Sequence, residues 1–145
     1  MNQQLNVYFV HSQTHDYNER LYLPVLRSEY LSHHNLIFPT SEKNNKKYYK
    51  DLMATATLFV VDLTYADGGE LLEVKEAVQS RKPTFAVADN SVGYEEKYAK
   101  YFNRVIGYSN EEELRHYIEE FVKSFEGRIN DRNEVDSTVI LGVLN

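Results

Sequence analysis

The sequence predicts an α/β domain with a parallel sheet covered by helices on both faces. Five short runs rich in apolar, β-branched and aromatic residues are separated by stretches with helical spacing, so strand and helix alternate five times. The length of 145 residues fits a single domain able to bury its own core.

Leu5–His11 is continuously apolar apart from Asn6, as expected of a strand buried on both faces. A polar turn over 12–16 follows. Tyr17–His33 then has helical spacing, with Leu21 and Val25 on one side and an interruption at Pro24 that predicts a late start or a kink. Leu36–Phe38 reads as the second strand, stopped by Pro39, and a polar loop runs over 40–47. Tyr48–Ala56 is expected to be a helix with Leu52 and Met53 inward, and Thr57–Leu63 is the clearest strand. After a loop ending in two glycines, Glu70–Arg81 carries Leu71, Val74 and Val78 at helical spacing. Thr84–Ala88 is the fourth strand, Tyr94–Tyr101 a short helix and Arg104–Tyr108 the fifth strand. Ser109 or Asn110 caps a last helix whose Glu111, Glu112 and Glu113 suit its positive end, with Leu114, Tyr117, Ile118, Phe121 and Val122 as its apolar face.

The strongly apolar first strand belongs in the middle of the sheet. The commonest order for five such units is 2-1-3-4-5, the flavodoxin-like three-layer α/β/α arrangement. Ligands of such sheets bind beyond the carboxyl ends of the strands, at the switch point between strands one and three. The domain is expected over 1–127. The tail over 128–145 is polar at first and then apolar from Val139 to Leu144, so it is expected to pack on its own domain or on a neighbouring subunit.

Bulk composition narrows the partners. A net charge of -6 lacks the basic face that nucleic acid requires. The short group Lys43, Lys46, Lys47 and Lys50 reads as a solvated face. With no cysteines, thiolate metal sites, disulfides and Cys nucleophiles are excluded. His15, His33 and His34 have no metal-site spacing, and neither a metal nor a cofactor is expected. No apolar stretch approaches a membrane span and no signal peptide is visible at Met1–Gln4, so the expected location is the cytoplasm, without membrane contact. Twelve Tyr and seven Phe without Trp suggest that some rings, wettable at one end, line a cleft or a subunit contact.

The residues that invite chemistry run from Asp62 through Tyr65, Asp67, Gly68, Gly69 and Glu73 to Ala77. A strand delivers Asp62 to the sheet edge, the glycines allow close backbone approach, and the next helix begins at the same cleft. Glu73 lies near the first turn of that helix and Asp67 on the loop before it, so the two carboxylates can divide nucleophilic and proton-moving tasks. Acidic residues also favour helix N-termini, so Glu70, Glu73 and Glu76 equally fit a solvated face. His11 and Ser12 end the first strand at the cleft, where they suit either ligand binding or the turn itself. No phosphate loop, dinucleotide fingerprint or nucleophile elbow is present.

Asp67-Gly68-Gly69, then Glu73-Val74-Lys75-Glu76-Ala77, then Lys82-Pro83 before a strand, resembles the nucleoside 2-deoxyribosyltransferase signature. Val7-Tyr8-Phe9-Val10-His11-Ser12 resembles that family's first strand, and the likeness covers about Leu5 to Tyr108. The resemblance implies Glu73 as nucleophile on the anomeric carbon of a (deoxy)ribosyl group. It implies Asp67 and Tyr8 as residues that orient the sugar or the nucleophile, and His11, Ser12, Asp62, Tyr65, Gly68 and Gly69 around a nucleoside or nucleotide. It also implies a homo-oligomer whose neighbours complete each site, for which Asn90, Asn103 and Asn145 are candidates. Two positions depart from the signature: Lys75 stands for its glycine, and Ala54-Thr55-Ala56-Thr57 stands where the family often has an Asp before strand three. These departures support the alternative of a non-catalytic nucleotide or nucleotide-sugar sensor. A TIR-like NAD-cleaving domain, which shares the sheet and a helix-borne Glu, is a third reading.

Overall fold

The computed structural model describes residues 4–12, 16–39, 46–66 and 70–126. Asp67, Gly68, Gly69, His15, Lys43 and the tail expected over 128–145 lie outside them. Five parallel strands, β1 (Asn6–His11), β2 (Asn35–Ile37), β3 (Leu58–Asp62), β4 (Thr84–Asp89) and β5 (Val105–Tyr108), form one sheet in the order β2-β1-β3-β4-β5. This is the flavodoxin-like order expected from the strand pattern.

Side-chain alternation along the strands makes two cores. Val7 and Phe9 of β1 and Leu58 and Val60 of β3 pack with Leu21, Tyr22 and Val25 and with Leu114, Ile118, Phe121, Val122 and Phe125 of α4 (Glu111–Phe125). Tyr8 and Val10 of β1 and Phe59 and Val61 of β3 face the other way. They meet Met53 of α2 (Lys46–Thr55), Val74 and Ala77 of α3 (Leu71–Gln79), and Tyr98 from a 3₁₀ turn (Glu96–Tyr101). The result is three layers with the sheet in the middle.

The helix expected over 17–33 is broken into three pieces. A π-helical turn (Asn18–Tyr22) runs directly into α1 (Leu23–Leu26), and a separate 3₁₀ turn occupies Leu31–His33. Pro24, at the start of α1, has no N–H to continue the ladder, and the Leu23 N–H reaches back to Asn18 O, five residues away. The segment after α1 is held to α4 by polar contacts: Arg27 to Glu111, Ser28 to Glu119 at 2.5 Å, and Tyr30 to Glu126. The N-terminus of α4 is fixed reciprocally. Asn110 Oδ1 accepts from the Glu113 N–H at 2.8 Å, while Glu113 Oε1 accepts from the Ser109 N–H at 2.8 Å.

Because α1 follows β1 on one face and α3 follows β3 on the other, the connections diverge between these two strands. His11 and Asp62 lie side by side in the β1–β3 register at that divergence, at the carboxyl ends of the strands.

Candidate functional site

β1 turns Tyr8 toward the α3 layer, where the ring is fully buried and packs edge-on against Phe59 at 5.8 Å. Its hydroxyl donates to Oε1 of Glu73 at 2.6 Å. Glu73 is half-buried in the first turn of α3. Burial raises its carboxyl pKa; the Tyr8 hydrogen bond works against this, and nearby Glu70 adds to it. The Tyr8 hydroxyl is raised far above the usual tyrosine range by burial and by the Glu73 charge, so it remains a donor. Tyr22, from the opposite layer, and Tyr49, from α2, are also raised, first by burial and then in part by the Glu73 charge. Glu73 is thus a half-buried carboxylate held by a short hydrogen bond from Tyr8.

Glu70, which the helix-end pattern allowed to be solvated, is 2% exposed and accepts from the Tyr98 hydroxyl at 2.8 Å. Glu76, two turns from it, is exposed. The three glutamates are thus in three different environments, a distinction that the residue types alone do not carry.

On the other side of the strand tips, His11 is fully buried and stacked on Tyr17 at 4.7 Å. Its Nδ1 lies 2.8 Å from Ser12 O, its Nε2 lies 2.5 Å from the Tyr22 hydroxyl, and that hydroxyl lies 2.5 Å from Pro39 O. Three contacts in a row need three protons, whereas neutral imidazole and one phenol supply two. Burial lowers the His11 pKa, so the ring is neutral. Nδ1–H then donates to Ser12 O, and the Tyr22 hydroxyl is shared between Nε2 and Pro39 O.

Asp62 is the hub of this side. Oδ1 accepts from the Thr64 N–H at 3.0 Å and the Thr64 hydroxyl at 2.6 Å. Oδ2 accepts from Arg20 Nη1 at 3.0 Å and the Tyr108 hydroxyl at 3.1 Å. Thr64 in turn accepts from the Asp89 N–H at 2.8 Å, tying the tips of β3, β4 and β5 together. Tyr65, next in the chain, is half-buried with φ of 60°, a left-handed conformation uncommon for an aromatic residue.

Of the residues selected from sequence, Tyr8 and Glu73 meet directly, while His11, Ser12 and Asp62 are buried at the neighbouring strand tips. Asp62 has both oxygens occupied, which makes it a support for its neighbours. Arg20, Tyr22, Thr64 and Tyr108 were not selected. Arg20 and Tyr22 share the π-helical turn after β1 and Tyr108 ends β5, so only the fold brings them to Asp62 and His11, whereas Thr64 reaches Asp62 from two residues on. The segment Ala54–Thr57, where a family carboxylate is missing, lies at the amino end of β3, with Thr57 bonded to Asn6.

A groove lined by Phe85, Phe102, Arg104, Ile106, Tyr117 and Phe121 lies on the α4 face, away from this chemistry. Among the described residues no three His, Asp or Glu side chains gather as metal ligands, and no helix is long and apolar enough to cross a membrane. No protein-family model and no curated protein sequence matches the chain.

Proposed function

We propose that this protein cleaves or exchanges the N-glycosidic bond of a (deoxy)nucleoside or nucleotide, with Glu73 as nucleophile. The observation that carries the reading is the 2.6 Å hydrogen bond from the buried Tyr8 hydroxyl to the half-buried Glu73 carboxylate at the opening of α3. A nucleophilic carboxylate must present one oxygen along a fixed line to the anomeric carbon. Tyr8 binds Oε1 and leaves Oε2 for attack. The new C–O bond forms as the bond from the anomeric carbon to the base nitrogen breaks. The electron pair leaves with the base, which takes a proton from solvent water, and the water or base nitrogen that later attacks the ester gives one back. Water, or the nitrogen of a second base, then attacks the glycosyl ester and frees Glu73. An oxocarbenium-like transition state is stabilised by the negative carboxylate beside it.

Incubation with a panel of deoxynucleosides, ribonucleosides and their monophosphates should release free base. The Glu73→Ala variant should lose at least about 10³-fold in rate, as expected for a covalent catalyst. Absence of base release across the panel would remove this reading. The competing sensor reading draws on Lys75, which stands in place of the signature glycine and is half-buried on α3. It predicts ligand-dependent thermal stabilisation without turnover.

A further inference from the structure

The glycosyl chemistry leaves one buried group unexplained, the guanidinium of Arg20 on the π-helical turn after β1. Nη1 donates to Asp62 Oδ2 at 3.0 Å, and the face of the group lies 5.1 Å from the centre of the Tyr65 ring. The remaining nitrogens, Nε and Nη2, are both buried and have no hydrogen-bond partner. These are the two whose N–H bonds point the same way. Together they form the edge of the guanidinium that grips two oxygens of one oxyanion.

Two further features suit such a ligand. Asp62 receives three other hydrogen bonds, from the Thr64 N–H, the Thr64 hydroxyl and the Tyr108 hydroxyl, so it is held in place without the Nε–Nη2 edge of Arg20. Neighbouring His11 is neutral, so it neither competes for the anion nor adds to the local charge. The Arg20 side chain as a whole retains 16% exposure, and the Asp62 that holds it ends β3 beside His11 of β1. Burying two donors without an acceptor is a standing cost that a bound acceptor removes.

We infer that the Nε–Nη2 edge of Arg20 receives the phosphate of a nucleoside monophosphate. This rests on the glycosyl reading above and selects, within it, the phosphorylated substrate over the free nucleoside. Asp62 acts as the positioning residue that aims the edge, and Tyr65 covers the guanidinium face.

Binding separates this claim from catalysis. In the Glu73→Gln protein, which cannot consume substrate by the proposed route, calorimetric titration with the common 2′-deoxynucleosides and their 5′-monophosphates should give about tenfold or greater preference for the monophosphate. Arg20→Lys in the same background keeps a cation beside Asp62 but lacks the two-donor edge, and should cut the preference to about threefold or less. Should that variant melt far below its parent, inorganic phosphate supplies the second test. It should displace the monophosphate from the Glu73→Gln protein while leaving nucleoside binding unchanged. Equal binding of nucleoside and monophosphate would overturn the Arg20 assignment and leave the glycosyl reading standing. A preference undiminished by Arg20→Lys, or phosphate that fails to compete, would also overturn it. Failure of every nucleoside and monophosphate to bind would overturn both.

Discussion

The residue types alone do not disclose the contact between Tyr8 and Glu73. A tyrosine in an apolar strand reads as core, and a glutamate at a helix start reads as dipole compensation; their spacing in the chain gives no hint that they touch. The resemblance to a glycosyl-transferring signature is what made the pair legible. The hydrogen bond gives it a physical consequence: the Tyr8 hydroxyl favours the charged form of Glu73 against the burial that disfavours it. Activity that needs the Glu73 carboxylate should therefore rise with pH along an acid limb lying above the usual glutamate range. Tyr8→Phe should move that limb upward by about one unit, the scale of a hydrogen bond to a charged group, and lower the maximal rate. A pH–rate profile of both proteins checks this; a limb unmoved by the change would mean that Tyr8 does not tune the carboxylate. Arg20, Thr64 and Tyr108 were illegible for a different reason. Arg20 and Tyr108 converge on Asp62 from the turn leading into α1 and the end of β5, and only the sheet order brings them together; Thr64 bonds to Asp62 from two residues on, a contact that its residue type does not announce.

At the level of elements, the strands were readable to within a residue or two because a buried parallel strand is an unbroken apolar run. β2 is displaced by one position, to Asn35–Ile37, since pairing with β1 sets its register and frees Phe38 to stack on Tyr22 at 4.2 Å. The region after β1 was harder. Pro24 signalled an interruption but not the π-helical turn before it, which depends on which carbonyl the Leu23 N–H reaches. Helix ends give two stability predictions. Removing the α4 cap with Asn110→Ala should cost about 1 kcal/mol, read as a lower denaturant midpoint at unchanged slope. α3 ends with exposed Arg81 at φ of 63°, where glycine is normally favoured. Arg81→Gly should stabilise the protein by about 0.5–1 kcal/mol, and a lowered midpoint would show that the arginine side chain contributes more than its backbone strain costs.

For the molecule as a whole, two histidines buried on the α4 side of the sheet couple folding to pH. Burial lowers the pKa of both His11 and His34, in spite of Asp62 near the first and Glu126 near the second. Arg20 and Tyr22 also face His11, and Tyr30 faces His34. His34 Nδ1 accepts from the Leu5 N–H at 3.0 Å, so its protonation would break a bond that anchors the start of β1. The unfolded chain binds these protons at its ordinary pKa of about 6.5, and the folded chain binds them only at lower pH. Their stability contribution is therefore complete above that value and is lost progressively as pH falls from it toward the folded pKa values. Thermal midpoints should decline from neutral pH toward pH 5 or so, and His34→Gln should flatten the slope; an unchanged slope would place the acid sensitivity elsewhere. The divergence of α1 and α3 from adjacent strand tips places α1 on one face of the sheet and α3 on the other.

The most direct measurement is the mass of the intact protein, quenched by acid during turnover with a substrate that releases base. The account predicts a transient increase equal to one (deoxy)ribosyl or phosphoribosyl group, carried on the peptide that contains Glu73 and absent from Glu73→Ala. Base release that continues in Glu73→Ala, or a sugar adduct found on any other residue, would contradict it.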